Sequence, residues 1–356
     1  MLKLFSIIIC VFCTATNYSQ ELLNVAVVGL SHDHAHVIMN EYKQHKVNII
    51  GIAENDQNLI DRYKKSYNIP DSLFYSSVKA MLDQVKPNAV LAYNPISEHI
   101  DIARICLPMG LPLMVEKPLA INLNQAQEMA ALSRKYNTPL LTNYETTWYG
   151  SNQTLKDKVE TSDFGIIKKI IARDGHQGPK EIGCSKEFLN WLTDPKKNGG
   201  GAVVDFGCYG ANLMTWLQDG KKPTTVTAVI RNFKPTLYPD VDDDATILLE
   251  YENAIGIIQA SWDWSYSLKD LQVFGSNSSY EALNDNTLIK NESHTEKTET
   301  PLKTNFYKDH LTYLKAVLEG QIDFTNDLSS IENNLIVVEI LDAAKKSAKT
   351  GKRVKL

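Results

Sequence analysis

The stretch Val25-Ala-Val-Val-Gly-Leu-Ser-His-Asp-His-Ala-His36 decides the fold of the first part of the chain. An apolar run that ends in glycine and leads into an amphipathic segment predicts the first βαβ unit of a dinucleotide-binding domain. Gly29 is the first glycine of that fingerprint, while Ser31 and His34 occupy the positions of the second and third. The turn therefore predicts the fold, and it leaves open whether a nucleotide is bound there.

Apolar strands and amphipathic helices alternate as far as residue 143, which predicts a doubly wound parallel sheet of the Rossmann type in residues 21–143. Beyond that point the strands are longer and alternate between apolar and polar residues. Residues 144–356 are therefore predicted to form an α+β domain with a large, open, mostly antiparallel sheet and C-terminal helices. Helices are predicted over residues 123–136 and 203–217, and the polar segment 284–304 predicts a surface hairpin or loop.

Composition and the N-terminus restrict the partners of the protein. In residues 1–20, Lys3 precedes an apolar run and then small and polar residues, which predicts a Sec signal peptide. We therefore expect a periplasmic or secreted protein that has no membrane attachment after signal removal. The net charge of −5 and the absence of a basic stripe argue against nucleic acid as a partner.

Four motifs follow one another along the chain: the Gly29 turn, Asn94-Pro-Ile-Ser-Glu-His99, Glu116-Lys-Pro118 and Gly199-Gly-Gly-Ala-Val-Val-Asp-Phe-Gly-Cys-Tyr209. Together they resemble the Gfo/Idh/MocA oxidoreductases, the family of glucose–fructose oxidoreductase and inositol dehydrogenase. The resemblance covers nearly the whole chain after residue 20. It implies a nicotinamide cofactor, NAD or NADP, on the first domain, a small-molecule carbohydrate substrate, and a homo-oligomer formed through the open sheet.

Three residues are predicted to surround the reacting carbon: Lys117, Asp205 and Tyr209. Lys117 follows a parallel strand, at the edge where open α/β sheets bind ligands, and a buried lysine with a lowered pKa can polarise or deprotonate a hydroxyl. Asp205 and Tyr209 are four residues apart, so a helix would project both from one face. The resemblance implies that Tyr209 is a general acid/base whose pKa falls from about 10 under the influence of Lys117.

The remaining candidate residues divide into a cofactor set and a substrate set. Glu54 follows the second strand and is predicted to accept hydrogen bonds from the adenosine ribose. The predicted cofactor-binding residues are Gly29, Ser31, His32, Glu54, Asn94, His99 and Glu116. The predicted substrate residues are His176, Tyr144, Trp148 and Trp191. His99 has the alternative interpretation of a core histidine.

A rival hypothesis takes His32, His34 and His36 as ligands of a divalent metal. On an extended loop, alternate residues share one side, so three imidazoles could converge; on a helix, His32 and His36 would pair and His34 would diverge. Metal sites usually include a carboxylate, and only Asp33 is adjacent in the sequence.

The preferred function is a nicotinamide-dependent oxidoreductase acting on a sugar, polyol or glycoside hydroxyl in polysaccharide or oligosaccharide breakdown. Because free nucleotide is scarce outside the cytoplasm, the cofactor would be held tightly and regenerated in each cycle. A redox-neutral glycosidase, dehydratase or lyase with tightly bound NAD is therefore an alternative. Two further alternatives are a metal-dependent relative that has lost the nucleotide and a non-catalytic carbohydrate-binding protein. The set Lys117, Asp205 and Tyr209 argues against the last, because simple binding needs no such constellation.

Overall fold

The computed structural model describes residues 22–293, 295–304 and 306–356, and the predicted signal peptide in residues 1–20 lies outside them. The first domain contains a six-stranded parallel sheet in the order β3-β2-β1-β4-β5-β6. Its strands are β1 (Asn24–Val28), β2 (Asn48–Ala53), β3 (Phe74–Tyr75), β4 (Ala89–Ala92), β5 (Leu113–Glu116) and β6 (Leu140–Asn143). Its helices are α1 (Ala35–Lys43), α2 (Gln57–Tyr67), α3 (Val78–Leu82), α4 (His99–Cys106) and α5 (Leu123–Tyr136).

Strand β1 shows why the apolar run in the sequence is continuous. Val25 and Val27 belong to the apolar core on one face of the sheet, whereas Ala26 and Val28 belong to the core on the other face. A strand that is covered on both sides has no solvent-facing position, so polar residues do not alternate along it. The strand order reverses between β1 and β4, which opens a crevice at their carboxyl ends.

The second domain contains a nine-stranded sheet in the order β14-β13-β12-β11-β7-β10-β9-β8-β15. Its strands are β7 (Ile167–Gly175), β8 (Thr225–Arg231), β9 (Asp244–Glu250), β10 (Ile255–Ser261), β11 (Leu268–Gly275), β12 (Ser279–Asn284), β13 (Thr287–Asn291), β14 (Lys297–Thr300) and β15 (Val354–Lys355). Strands β7 and β10 pair in parallel, and their other pairings in this sheet are antiparallel. The predicted α/β fold with a parallel first sheet and a mostly antiparallel second sheet is confirmed.

Seven helices accompany this second half of the described chain. They are α6 (Gly150–Val159), α7 (Lys186–Leu192), α8 (Pro195–Asn198), α9 (Ala202–Asp205), α10 (Gly207–Leu217), α11 (His310–Leu318) and α12 (Ile331–Thr350). Helix α11 returns to the first domain, where Leu311, Leu314 and Val317 pack in the same core as Val25 and Val27. Within the described ranges, no helix combines the length and the apolar character that crossing a membrane requires.

The structure differs from the sequence prediction in the segment that carries Asp205 and Tyr209. The single helix predicted over residues 203–217 is two helices, because α9 ends at Asp205 and α10 begins at Gly207. Phe206 lies between them with a φ of −107° and a ψ of −30°. Asp205 and Tyr209 therefore do not occupy one continuous helical face. The predicted hairpin within residues 284–304 is present as the antiparallel pair β13 and β14.

Candidate active site

A cleft of about 660 Å³ lies at the carboxyl ends of the strands in the first sheet, a size that suits a small-molecule ligand. Its lining includes the predicted residues Gly29, Ser31, Glu54 and Asn94, and it also includes Trp191. Gly29 has a φ of +76°, and a Cβ there would lie 2.7 Å from the Cβ of Asn94. Only glycine therefore permits the close approach of these two turns. The geometry fits the first glycine of a dinucleotide site.

The carboxylate of Glu54 supports this turn from the end of β2. Its Oε2 accepts the Leu30 N–H at 2.8 Å, and its Oε1 accepts the N–H groups of Asn55 and Asp56 at 2.8 and 2.9 Å. A carboxylate has about four acceptor positions, so roughly one remains for a ribose hydroxyl in the cleft. The ribose contact stays a prediction, and the support of the turn is a role that the sequence did not reveal.

The three histidines of the opening turn separate into two groups. His36 stacks on Tyr63 with ring centroids 4.8 Å apart, and its Nδ1 lies 2.7 Å from the hydroxyl of Tyr67. His32 and His34 lie together, with ring centroids 4.4 Å apart. The rival hypothesis of a metal site made by all three histidines is therefore wrong, because α1 begins at Ala35 and turns His36 toward α2.

A different trio converges instead: ligand atoms of His32, His34 and Glu116 all lie within 4.8 Å of one another. In this trio the His34 Nδ1 lies 2.9 Å from Glu116 Oε2, and Asn143 Nδ2 donates to Glu116 Oε1 at 2.9 Å. The backbone N–H of His34 donates to His32 Nδ1 at 3.1 Å. A metal-bound histidine usually donates from its second nitrogen, whereas here that nitrogen accepts. The trio is thus a hydrogen-bonded network that joins the turn to the end of β5.

This network also explains how a histidine replaces the third glycine of the fingerprint. The side chain of His34 is 40% exposed and is directed to Glu116, so it does not occupy the contact between α1 and the sheet. Burial lowers the pKa of His32 well below its usual value, which keeps this ring neutral. Burial opposes the charge of Glu116, but His34 holds the pKa of this carboxyl below its usual range.

Lys117 and Asp205 form a buried ion pair next to the end of β5. The Lys117 ammonium donates to Asp205 Oδ1 at 2.5 Å and to the Asp205 carbonyl at 3.0 Å, and Trp262 Nε1 donates to Asp205 Oδ2 at 3.0 Å. Burial disfavours both charges, but each partner favours the other, so the pKa of Lys117 is raised and that of Asp205 is lowered. The expected lowering of the Lys117 pKa is therefore wrong: Lys117 is a fixed cation that can polarise an oxygen but not deprotonate it.

Tyr209 lies against this pair, as predicted, with a different protonation behaviour. The Lys117 ammonium is 4.9 Å from the centroid of the Tyr209 ring, and the Lys269 ammonium is 4.3 Å from it. Burial raises the pKa of the Tyr209 phenol well above its usual value, and the carboxylates of Glu145 and Asp174 add to the effect. The expectation that the pKa falls is wrong, and Tyr209 is a neutral phenol that can donate a hydrogen bond.

Lys117, Asp205 and Tyr209 form a cluster with two charged residues that were not identified from the sequence. These are Asp174 on β7 and Lys269 on β11. They are register partners on neighbouring strands, and Lys269 donates to Glu145 Oε2 at 2.7 Å. Asp174 is buried with its Oδ2 unpaired in the described structure, and burial raises the pKa of its carboxyl to about 7. The signal in the sequence was an acid directly before the Gly175-His176 turn, but the lysine partner lies on a strand that is distant in sequence.

The other predicted residues lie at different distances from this cluster. His176 packs edge-on against Phe206 with centroids 4.9 Å apart, and Tyr144 packs edge-on against Tyr209 at 5.5 Å. Trp148 donates from Nε1 to Asn143 Oδ1 at 3.1 Å and lines a second cavity together with Glu116 and Glu145. Tyr144 is fully buried behind Tyr209, so it supports the phenol and does not form an open pocket wall.

Two predicted contacts are corrected by the structure. Trp191 was expected in the substrate pocket, but it lines the nucleotide cleft, packs on His32 and donates to the Ser31 carbonyl at 3.3 Å. His99 was expected near the nicotinamide, but it is fully buried with its Nδ1 3.1 Å from the Leu119 carbonyl. Burial lowers its pKa to about 4, so His99 is a neutral core histidine.

Comparisons with known proteins agree with this architecture. A curated relative, trans-1,2-dihydrobenzene-1,2-diol dehydrogenase of Xenopus tropicalis, is 27% identical over 209 residues, which are 57% of this chain and 57% of that protein. The chain thus spans somewhat over half the length of the curated relatives it matches. An aldose-aldose oxidoreductase from Caulobacter crescentus, solved with glycerol, is 19% identical, with a TM-score of 0.78 over 94% of this chain and all of that chain.

An inositol dehydrogenase homolog from Azotobacter vinelandii, solved with NAD⁺, is 17% identical, with a TM-score of 0.79 over 95% of this chain and 98% of that chain. At such identities the two structures show the shared fold alone. Residues 23–144 match the family model of the oxidoreductase family with an NAD-binding Rossmann fold, and residues 152–281 match the GFO/IDH/MocA C-terminal domain. The resemblance and the nicotinamide cofactor expected from it are confirmed at this level, and the chain belongs to the Gfo/Idh/MocA oxidoreductase family.

Proposed function

We propose that the protein oxidises a secondary hydroxyl of a sugar or polyol with a nicotinamide cofactor. The observation that carries the proposal is the buried Lys117–Asp205 pair, which lies at the end of β5 in contact with Tyr209. Relatives named for dihydrodiol oxidation and for inositol support a substrate that carries hydroxyls on a ring. A bound nicotinamide would supply the hydride acceptor, held by the cleft at Gly29, Ser31 and Asn94.

Side chains of the protein itself polarise the substrate, stabilise its charge and hold it by a hydrogen bond. The Lys117 ammonium polarises the substrate oxygen and stabilises negative charge that develops on it, because it is buried and fixed in position. Asp205 holds the ammonium through two oxygens and is itself fixed by Trp262. The Tyr209 phenol donates a hydrogen bond to the substrate. Lys117, Asp205 and Tyr209 therefore orient the substrate and stabilise its developing charge. The proton of the substrate hydroxyl must be accepted by another group.

The cleft supports NAD over NADP. Among the described residues, its lining carries the carboxylates of Glu54, Asp56, Glu98 and Glu187 and the ammonium groups of Lys79 and Lys197, and it includes no arginine. An acid after β2 suits a ribose hydroxyl, whereas a 2′-phosphate is usually met by arginine. Titration with each nucleotide, followed by intrinsic tryptophan fluorescence, tests this: tighter binding of NADP than of NAD would contradict it.

Contacts across the cleft support a cofactor that is retained through the cycle. Helix α7 is tied to the first domain by the Ser185 N–H on Asp33 Oδ2 at 2.9 Å and by Arg62 Nη1 on Glu187 Oε2 at 2.8 Å. The Trp191 contact with the turn adds a third connection. A retained cofactor suits a protein that acts in the periplasm or outside the cell, where free nucleotide is scarce. Such a protein would be exported as an unfolded chain by a Sec signal in residues 1–20. A retained cofactor also favours a second candidate function, which is redox-neutral. In it the sugar would be oxidised transiently to a keto sugar, elimination would follow, and the hydride would then return.

One purification tests both cofactor and compartment. Protein recovered from the periplasmic fraction is denatured, and the released nucleotide and metals are quantified. Stoichiometric NAD supports the retained-cofactor proposal. Protein that remains in the cytoplasm contradicts export, and a metal without nucleotide contradicts the proposed chemistry.

A further inference from the structure

Strands β7 and β11 carry two ion pairs, and in one of these pairs the carboxylate lacks a full set of hydrogen-bond partners. Arg173 pairs in register with Asp270, and Asp174 pairs in register with Lys269. Successive side chains of a strand point to opposite faces, so the two pairs lie on opposite sides of the same sheet. Arg173 meets Asp270 with two hydrogen bonds, at 2.9 and 2.5 Å. The pair with Asp174 is built differently.

Lys269 gives its hydrogen bond to Glu145 at 2.7 Å, and its ammonium remains 3.7 Å from Asp174 Oδ2. That oxygen is buried and has no hydrogen-bond partner in the described structure. A buried acceptor without a partner lowers the stability of the fold, because its hydration is lost and no hydrogen bond replaces it. Since the same two strands satisfy Asp270 fully, the backbone does not force this cost, and a functional reason is needed.

The proposed oxidation supplies that reason, because it releases a proton from the substrate hydroxyl. Lys117 is already protonated with a raised pKa, and Tyr209 is a neutral phenol whose pKa is raised by burial. Asp205 is an ion held by Lys117 and Trp262. Asp174 is the carboxyl of the cluster whose pKa, about 7 because of burial, suits reversible proton transfer near neutral pH.

We propose that Asp174 is the proton acceptor of the reaction, an assignment that rests on the proposed oxidoreductase function. The substrate O–H bond breaks and its proton passes to Asp174 Oδ2. The hydrogen on the same carbon leaves with its electron pair to the bound nicotinamide, so the alcohol is oxidised by two electrons to a ketone. The Lys269 ammonium, 3.7 Å from Asp174 Oδ2, favours the ionised carboxylate that accepts this proton.

The pH dependence of Asp174 is set by groups on several elements. Lys269 faces it from β11, Lys117 follows β5, Asp205 ends α9, and Glu145 lies in the turn after β6. The titratable groups that complete its surroundings are Tyr149, Tyr209 and Cys208. Both lysines favour the ionised carboxylate and both acids oppose it, so burial decides the raised pKa.

Asp174→Asn tests the proposal against Asp270→Asn, which removes a buried carboxylate from the same two strands on the other face. The pH profile of kcat is measured for polyol oxidation with NAD⁺ between pH 5 and 9. We expect wild type to gain activity as pH rises through about 7, and Asp174→Asn to lose about 10²–10⁴-fold in kcat together with this limb. Asp270→Asn keeps the limb. Asp174→Ala is expected to recover activity with added formate, which restores a carboxylate.

Thermal unfolding and nucleotide titration establish that each variant is folded. An Asp174→Asn enzyme that folds and keeps both the wild-type kcat and the acidic limb of the pH profile overturns the assignment. A second readout needs no turnover: the infrared spectrum of wild type minus that of Asp174→Asn should contain a protonated-carboxyl band that disappears near pH 7. Glu41, whose pKa burial also raises to about 7, is common to both proteins and cancels in this difference. If wild type oxidises no polyol, the proposed function fails, and the difference band still decides whether Asp174 titrates there. A difference spectrum without this band overturns the assignment independently.

Discussion

Lys117 and Asp205 form the buried ion pair at the centre of the proposed active site. Their two charges are buried, and a buried ion pair is retained only when its geometry and further hydrogen bonds offset the loss of hydration. Trp262 and the Asp205 carbonyl supply those bonds. The pair is therefore held in a single arrangement before substrate arrives, which is what electrostatic stabilisation of a developing charge requires.

Lys117→Met is expected to remove this arrangement while filling the same space. Turnover should fall by about 10²–10⁴-fold. The Asp205 carboxylate would be left buried without its partner, so the free energy of unfolding should fall by about 3–5 kcal/mol. The double variant Lys117→Met with Asp205→Asn should recover part of that stability without recovering turnover. Calorimetry and steady-state kinetics check both, and a double variant as unstable as the single one would contradict the explanation.

Tyr209→Phe separates hydrogen-bond donation from proton transfer. Because burial keeps the phenol neutral, we expect kcat to fall by about 10²-fold with the acidic limb of the pH profile unchanged. Tyr144→Phe is the matched control, since Tyr144 is fully buried and its ring packs edge-on against that of Tyr209. Loss of the acidic limb in Tyr209→Phe would show that Tyr209, and not Asp174, takes the proton.

Asp174 also makes a prediction for stability. Its pKa is about 7 in the fold and 3.8 as an ordinary carboxyl, so the folded state binds this proton more tightly. The contribution of Asp174 to the stability of wild type should therefore fall as pH rises from about 4 to about 7, by up to about 4 kcal/mol. Asp174→Asn does not titrate, so it should match wild type near pH 4 and exceed it above pH 7. Urea unfolding at both pH values checks this, and equal stability at high pH would contradict it.

Local sequence motifs identified residues that the structure brings together, and the catalytic roles of these residues stay predictions. Lys117, Asp205 and Tyr209 were identified from their motifs and lie in contact. Asp174 and Lys269 were missed because only strand register brings them together. The pKa directions of Lys117 and Tyr209 were predicted wrongly because they depend on burial and on partners that the sequence does not show.

At the level of elements, the opening turn combines a special backbone conformation with a close contact. Gly29 has a φ of +76° and no room for a Cβ. Its neighbours Ser31 and His34 depart from the usual glycine pattern, and the structure accommodates His34 by directing it to Glu116. The fold of the turn is thereby kept with a single glycine.

Gly29→Ala is expected to destabilise the protein and to weaken NAD binding, and Gly110→Ala separates the two causes. Gly110 has a φ of +68° with nothing within 4 Å of an added Cβ, so its substitution costs only the backbone strain of about 1–2 kcal/mol. Gly29→Ala adds a contact of 2.7 Å with Asn94. Thermal unfolding and NAD titration check this. Equal effects of both substitutions would show that the close contact is unimportant.

Element prediction was reliable for strongly patterned segments and weaker elsewhere. Helix α5 was predicted with its observed limits because its apolar spacing and its ends agree. Helix α6 was not predicted, since its buried residues include Gly150, Ser151, Asn152 and Thr154 and form no apolar stripe. The break between α9 and α10 was missed because the apolar run continues through Phe206.

At the scale of the whole molecule, the outer face of the second sheet carries large apolar residues that the described chain leaves exposed to solvent. Val229, Leu248, Ile255 and Phe274 are large apolar residues exposed on four of its strands. The register sets Leu248 opposite Ile257, so the apolar surface is continuous across neighbouring strands. We propose that a second copy of the chain covers this face.

Leu248→Lys tests that association. A charge in the centre of the face should convert the oligomer to monomer in size-exclusion chromatography with light scattering, at concentrations where wild type remains associated. Met109→Lys, an exposed apolar position on the first domain, is the control and should leave the mass unchanged. A wild-type monomer, or an oligomer that Leu248→Lys does not affect, would contradict the proposed interface.

Single-turnover hydride transfer tests directly whether Lys117 promotes oxidation of the substrate. Wild type and Lys117→Met, each loaded with NAD⁺, are mixed rapidly with cyclic polyols and aldoses, and the absorbance of reduced nicotinamide is recorded. We predict that at least one substrate reduces the nicotinamide in wild type and does so about 10²–10⁴-fold more slowly in Lys117→Met. Reduction at the same rate in both proteins, or none in wild type that holds stoichiometric NAD⁺, would contradict the account.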